Sequence, residues 1–480
     1  MKKFRIFTLI LTICLIFSAA APAAEALDDP PLSSAKAVVL ADMESGRLLW
    51  SLNAQERRAP ASLTKIMTVL LAVEALEDGR FTPDEMVTAQ ADCLAGLDTD
   101  SSTSDIKPGE IISYQDLLYC AMVHSANEAC NILAHHIAGS VSAFVEMMNA
   151  RAAELGCSDT HFSDPNGLSN ENHYTTAYDM YLMTAEALRH PLFAEICNTR
   201  SYEMAATNLS DARSFPNSNA LISNESDYGD KYLYSYAAGV KTGFTQLAGY
   251  CLVSTAENED GERLLAVVMG CNGYLNSDSP DYENFTDTIK LYNWAFDNFS
   301  YRTVASSTTT VTRVHVDLAS ESDENVNLRV QSDVTMLLPN DLDLDAVRLE
   351  PTVYEDMLKA PIPAGTVLGR AEIIIDGESR GSVNLVNMSE VELSKKEFMR
   401  LNLAQTLSSP WVKLLIGLVA FMFIGYLVLV IRYRVMRRRY LRRKREAARR
   451  RAERARSSAE RPREDTQRIA AIVDEETGKR

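Results

Sequence analysis

Residues 57–76, RRAPASLTKIMTVLLAVEAL, set a serine and a lysine three positions apart at the mouth of an almost unbroken apolar run. Pro60 and Ser62 ahead of that run read as the entry and cap of a helix. A capping box would then carry Glu or Gln at the third position after the cap, to reach back to the cap's own N–H. The chain has Lys65 there, and a cation in a first turn opposes the helix dipole. Ile66, Met67, Val69, Leu70, Leu71, Val73 and Leu76 leave little polar face, so the helix is expected to be buried on most sides, and Lys65 with it. Burial of an ammonium lowers its pKa, and a spacing of three puts it on the face that carries the Ser62 hydroxyl: a nucleophile beside a base. Spacing alone is not selective. Ser33 and Lys36 repeat it, but ahead of AVVLADMESGRLLW, two short apolar runs around a Glu-Ser-Gly turn that read as a hairpin.

Working outward, 480 residues at 46% apolar composition suffice for two or three folded units with real cores, and exclude a disordered chain. Lys2, Lys3 and Arg5, an apolar stretch over residues 6–17 and the small-residue run SAAAPAAEA read as a signal peptide, 1–23, cut after Ala23. Cys14 follows Ile13 rather than a small residue, which argues against a lipoprotein. A second apolar run, Trp411 to Ile431, has 21 residues, enough at about 1.5 Å each to cover the ~30 Å hydrocarbon layer. From Arg432 onward there are 19 Lys/Arg against 8 Asp/Glu, a net of +11, which leaves −28 on the rest of a chain whose total is −17. The positive-inside rule then places the tail, 432–480, in the cytoplasm and the acidic remainder outside a cell membrane crossed once. Placed directly after a span, the basic run is explained by topology and anionic lipid, not by nucleic acid.

Seven of the eight cysteines lie beyond the leader, an odd number with no Cys-x-x-Cys spacing, and are expected to be buried free thiols; Cys251 and Cys271, in neighbouring strand-like runs, are the pair that could bond. His135 and His136 are adjacent rather than on one helical face, no zinc pattern occurs, and no metal or cofactor is expected.

Strand-like runs over 36–52 precede the opening helix. A helical stretch follows over 103–157 and another from Thr176 to about Arg189, then GVKTGF, GYCLVSTAE and RLLAVVMGC as strands and 281–298 as a closing helix. Strands at both ends with helices between imply an α+β domain, 27–300. Over 302–390 the runs TVTRVHVDL, VNLRVQSDVTMLL, VRLEPTVY, AEIIID and GSVNLVN alternate in period two, a small all-β domain. Residues 391–409 suggest a weakly amphipathic juxtamembrane helix, and 446–480 a disordered end.

Two further patterns join the first. HSANEA places Ser125-Ala126-Asn127 at a break between helical segments, and GVKTGFT places Lys241-Thr242-Gly243 inside a strand. Ser382-Val383-Asn384 repeats the second pattern, but in the β domain, where it reads as plain strand. In this order, in one secreted domain, the three motifs resemble those of the low-molecular-mass penicillin-binding proteins, the serine-type D-alanyl-D-alanine carboxypeptidases. The resemblance spans about 30–390 and includes HFSDPNGLS, HYTTAYDM, NSNAL, VKTGFTQLAGYCLVSTA and, in the β domain, APIPAGTVLGR. It implies an antiparallel sheet packed between helices, as in serine β-lactamases and transpeptidases, followed by a β-rich domain.

It also implies roles. Ser62 would attack the penultimate D-Ala carbonyl of a peptidoglycan stem peptide ending in D-Ala-D-Ala, with Lys65 as its base and Ser125 relaying a proton to the leaving amine. Asn127 would hold the peptide amide, Lys241 and Thr242 the terminal carboxylate, and Gly243 would let the substrate backbone lie close. The N–H groups of Ser62 and Phe244 would form the oxyanion hole, and β-lactams would be covalent inhibitors. Glu128 stands where the family often has Asp, and Ser218 where some members have Arg. The Pro165-Asn166-Gly167 turn and Asp179 are expected to be structural. A class A β-lactamase shares the motifs but needs a Glu-x-x-x-Asn, and no Glu between 128 and 241 has Asn four residues later. A D,D-endopeptidase acting on cross-links and a membrane-tethered β-lactam sensor without turnover are the alternatives.

Overall fold

AVVLAD becomes strand β1 (Ala37–Asp42) and LLWSL strand β2 (Leu48–Leu52), an antiparallel hairpin. β1 is buried along its whole length because both faces of its sheet are covered. Ala37, Val39 and Ala41 point into one core, Val38 and Leu40 into the other. The computed structural model describes residues 27–97, 101–168, 171–226, 228–274 and 281–459. The leader and its cut site lie outside them. Two units divide the chain: Met1–Ser306 with Asp333–Val347, and Ser307–Ser332 with Arg348–Arg480.

In the first unit, helix α1 (Lys65–Glu77) is followed by the short ribbon β3 (Met86–Thr88) and β4 (Ile111–Ser113), then α2 (Tyr114–Met122), α3 (Asn127–Ala138) and α4 (Val141–Glu154). After these come α5 (Ala177–Ala187), α6 (Pro191–Cys197), and a second ribbon of β5 (Ser201–Met204) and β6 (Arg213–Pro216). Local chemistry sets the boundaries. Ser113, Ser140 and Thr176 cap α2, α4 and α5 by accepting the N–H three residues on, Pro191 opens α6, and Gly139 closes α3 in a left-handed conformation.

Strands β7 (Ala237–Thr245), β8 (Gly249–Glu257) and β9 (Arg263–Cys271) complete a five-stranded antiparallel sheet of order β2-β1-β9-β8-β7. The first and last strands of this sheet in sequence, β1 and β9, are therefore brought together, and β7 is left as an edge. The helices α1 to α6 share one core on one face. Helix α7 (Glu283–Asn298) covers the other through Leu291, Tyr292, Trp294 and Ala295.

The expected Ser62 cap does not form. Ala61–Thr64 is a 3-10 turn entered from Pro60, α1 begins at Lys65, and neither Pro60 nor Thr64 makes a side-chain cap. Ala61 takes a left-handed φ of 50°, so the chain turns sharply just ahead of Ser62. The Ser62 hydroxyl faces Lys65 instead of the helix's free N–H groups.

Ser33, which repeats the spacing, is tied to a different element: Ser33, Ser34 and Ala35 donate their N–H groups to the buried Asp287 carboxylate of α7 at 2.7, 2.9 and 3.1 Å, and Lys290 reaches the Ser33 hydroxyl. Asp287→Ala would leave three donors without their acceptor. It is expected to lower unfolding stability by about 2–4 kcal/mol, read from denaturant melts, since bonds to a charged acceptor contribute about 1.5–3 kcal/mol each and are not additive.

All seven cysteines among the described residues are buried and free. Cys251 belongs to the helical core and Cys271 to the opposite layer, so the sheet separates the pair that could have bonded.

Strand β10 (Phe299–Ala305) leads out of α7. In the second unit, β11 (Thr310–His315) and β12 (Asn325–Val330) pair, but the run 326–338 is not one strand. It breaks at Gln331, and its second half, β13 (Val334–Pro339), pairs with β10 in the first unit. Each half alternates in period two, so alternation cannot reveal the change of partner. With β14 (Arg348–Val353), β15 (Val367–Ile375) and β16 (Glu378–Asn387) the second unit forms an antiparallel sheet of order β11-β12-β16-β15-β14. Leu328, Val330, Leu368, Ile373 and Leu385 are buried in it.

Helix α8 (Lys395–Ser408) follows, then α9 (Pro410–Ala459). α9 contains Trp411–Ile431 and is long and apolar enough to cross a membrane, consistent with anchoring. The disorder expected from 446 does not begin there. The helix runs on to Ala459 because the segment is rich in Ala, Arg and Glu, all strong helix formers; residues 460–480 lie outside the described range.

Candidate active site

The edge strand β7, the turn 61–64 and the break between α2 and α3 enclose a cleft of about 270 Å³. Ser62, Ser125, Asn127, Thr242, Gly243 and Phe244 all line it. Lys65 and Lys241 stand behind that lining, 0% and 1% exposed. All eight residues singled out from sequence therefore gather in one place.

Lys65 Nζ has three neighbours: Ser62 Oγ at 2.7 Å, Asn127 Oδ1 at 2.7 Å and the Asn166 carbonyl at 2.9 Å. Burial pushes its pKa down to about 8, against the counter-pull of nearby acidic groups led by Cys130, Asp164 and Glu128. Two of its neighbours are obligate acceptors. A neutral amine spends its two N–H groups on them and turns its lone pair to the Ser62 hydroxyl.

Ser125 sits in the α2–α3 break with a left-handed φ of 66°, costly for a residue with a Cβ. The break is pinned on both sides, Ala126 N–H to the Cys120 carbonyl and Asn127 N–H to the Ser102 carbonyl, each at 2.9 Å. Asn127 starts α3, which fixes its side chain toward Lys65. Glu128, next along, accepts from Thr103 Oγ1 and Ser104 N–H, both at 2.7 Å, and so ties the preceding loop to the helix.

On β7 the side chains alternate. Lys241 faces the buried helical side, where burial and then the nearby Lys65 hold its pKa well below the ordinary lysine value. Thr242 and Phe244 face the other way. Thr242 Oγ1 meets Ser218 Oγ at 2.7 Å, Lys241 Nζ reaches the same hydroxyl at 3.4 Å, and Phe244 stacks on Tyr250 with ring centres 4.2 Å apart. Gly243 has a packing reason of its own. A Cβ there would stand 3.1 Å from the Pro60 carbonyl and 3.2 Å from Leu63 N, so the glycine lets the strand press against the turn that carries Ser62.

Three contributors were not singled out as site residues. Ser218, noted only as a departure from the family's Arg, couples to both Lys241 and Thr242. Asn166 and Gly167, expected to form a plain turn, line the cleft and supply the carbonyl that holds Lys65. A backbone acceptor has no side-chain signature, so the Pro-Asn-Gly turn was the one visible signal. Asp179 is structural, accepting from Asp159 N–H and Thr160 Oγ1 at 2.9 and 2.7 Å.

A sequence-family profile described as D-alanyl-D-alanine carboxypeptidase matches residues 24–273, and one described as the C-terminal domain of penicillin-binding protein 5 matches 299–393. The D-alanyl-D-alanine carboxypeptidase DacF of Bacillus subtilis is 32% identical over 378 residues, 77% of this chain and 90% of the relative. DacC of Escherichia coli is 32% identical over 380 residues, 78% and 89%. The crystal structure of penicillin-binding protein 5 from Haemophilus influenzae superposes with a TM-score of 0.59 at 30% identity, covering 76% of this chain and 99% of that one. A penicillin-binding-protein fold with a following β-rich domain, matched in sequence over most of its length, makes this chain a member of the D-alanyl-D-alanine carboxypeptidase family.

Proposed function

We propose that the protein is a serine D-alanyl-D-alanine carboxypeptidase that trims the terminal D-Ala from peptidoglycan stem peptides through an acyl-enzyme on Ser62. The observation that carries this is the coordination of Lys65: with two acceptors fixed, a neutral amine has its lone pair on the Ser62 hydroxyl proton.

In the proposed cycle the peptide lies along the free edge of β7 as an added strand, with its carboxylate on Lys241, Thr242 and Ser218 and its amide on Asn127. Ser62 Oγ bonds to the penultimate carbonyl carbon as Lys65 takes the hydroxyl proton. The oxyanion rests on the N–H groups of Ser62 and Phe244. The C–N bond then breaks, the proton passing by way of Ser125 to the leaving amine, and D-Ala departs. Water, giving its proton to Lys65, cleaves the ester and restores Ser62. A β-lactam follows the first half, but its amine stays tethered and blocks the second. A leader at 1–23, a span at 411–431 and a cytoplasmic tail at 432–480 would hold the active domain at the outer membrane face, next to its substrate.

The test incubates the full-length protein in detergent with a labelled penicillin and with a peptide ending in D-Ala-D-Ala. An adduct mapped to Ser62 together with free D-Ala is the expected result. Labelling without D-Ala release would favour a sensor, cleavage confined to cross-linked peptides an endopeptidase, and an adduct at Ser33 would overturn the assignment.

A further inference from the structure

The geometry points to His173 as a positioning residue that sets the conformation of the nucleophile's turn through Thr64, an inference that rests on Ser62 being the nucleophile. His173 is 2% exposed and lies in HYTTAYDM, a stretch to which no step of the proposed cycle assigns a task. Its Nδ1 receives the Ser163 N–H at 3.0 Å, with the Ser163 hydroxyl at 3.2 Å. A backbone N–H can only donate, so Nδ1 is an acceptor, and in a neutral ring the proton sits on Nε2.

Among the described residues, the hydrogen-bond partner of that proton is Thr64 Oγ1 at 2.7 Å. The Thr64 hydroxyl, its lone pair so occupied, directs its own hydrogen to the Ala61 carbonyl at 2.8 Å. The chain of donors runs in one direction, from Ser163 through His173 and Thr64 to Ala61, and every member is satisfied.

The end of that chain matters because Ala61 holds the left-handed φ of 50° that precedes Ser62. An alanine has no preference for that region, and the strain persists only where surroundings impose it. Here two contacts do: the Thr64 hydroxyl on the Ala61 carbonyl, and Gly167 packed against the same carbonyl. His173 also touches the segment that holds Lys65. Ser163 and Asp164, the latter with Oδ2 at 3.4 Å from Nδ1, lead into the turn whose Asn166 carbonyl receives the lysine. One imidazole thus fixes the nucleophile's turn and the base's anchor in a common frame. Burial holds the ring's pKa below the ordinary histidine value, which keeps the neutral form that the chain requires.

The test measures acylation by a labelled penicillin in full-length protein, separating the rate constant at saturation from the concentration for half-saturation, and counting label per chain at completion. Thr64→Val removes the hydroxyl at nearly constant volume. It is expected to lower the saturating rate about 10- to 100-fold, the scale of a small misplacement of reacting groups. Half-saturation is expected to change little, and label to reach one per chain. Thr64→Ser, which keeps the hydroxyl, is expected to restore the rate to within a few-fold of wild type.

His173→Gln can present an N–H at the Nε2 position whereas His173→Asn cannot reach Thr64, so Gln is expected to retain most of the rate and Asn to lose it. That second pair decides the matter if Thr64→Val does not fold. Wild-type rates in Thr64→Val and His173→Asn would overturn the positioning role while leaving Ser62 in place, and so would label below one per chain with an unchanged rate, which marks a stability effect alone. Absence of label in wild type would instead remove the nucleophile assignment itself.

Discussion

Exchange of Lys65 for methionine is expected to slow acylation of Ser62 by about 10³- to 10⁴-fold, the upper part of the range for a positioned general base. The side chain is of similar length and fits a fully buried site, so the loss would be chemical rather than steric. Wild type should also show the base directly. With its pKa near 8, Lys65 is protonated below that value and has no lone pair to offer. The second-order acylation rate is therefore expected to rise about tenfold per pH unit up to about 8 and then level off. The methionine variant should lack this limb.

Linkage gives an independent readout. The unfolded lysine titrates near 10.5 and the folded one near 8, so between those values the unfolded chain binds more protons and wild-type stability should rise with pH. The variant should lose that rise too, although its own stability is reduced by the Asn127 and Asn166 acceptors left without a donor. A methionine variant acylating within tenfold of wild type would take Lys65 out of the base role.

Gly167→Ala is expected to be the most damaging glycine-to-alanine exchange among the described residues. At a φ of 90° a Cβ would fall 1.9 Å from the Ala61 carbonyl oxygen and 3.0 Å from Ser62 N. Both neighbours are backbone, so neither can swing aside as a side-chain end would. The backbone conformation alone costs about 1–2 kcal/mol and the overlap about 1–3 more. Relief would have to come from moving either the turn 61–64 or the turn 164–167, which carry the proposed nucleophile and the lysine's anchor. Stability is expected to fall by about 2–5 kcal/mol and the acylation rate of the folded fraction by about 100-fold or more, as small misplacements of reacting groups do. Gly243→Ala should be milder, its nearest contacts being 3.1 and 3.2 Å. Equal acylation in wild type and Gly167→Ala would show that the two turns are not coupled.

Much of the site was legible because its chemistry is written in short spacings. Three residues of separation on one continuous turn put Ser62 and Lys65 on the same side of it, where they meet at 2.7 Å. Alternation on a strand sends Lys241 and Thr242 to opposite faces, and a break between helices announces Ser125 and Asn127. The cap was misjudged for an equally local reason. A serine ahead of an apolar run is compatible with capping, and only the left-handed Ala61 and the 3-10 turn turn its hydroxyl toward the lysine instead. The split of 326–338 between two sheets was hidden because period two describes a strand's faces and not its partner.

By itself, then, the sequence determined the α+β order of elements, the pairing of Ser62 with Lys65 that the proposed mechanism uses, and the apolar run that α9 carries. Each of these depends on residues close together in the chain. Only the tertiary structure decided what holds them: the Asn166 carbonyl on Lys65, Gly167 against Ala61, Ser218 between Lys241 and Thr242, and His173 behind Thr64. Those contacts join segments from about 25 to more than 100 residues apart, and several use backbone atoms common to every residue. A pattern of side chains can name the groups that react. The distances that make them react arise when the edge of one sheet, two turns and a helix break are packed together.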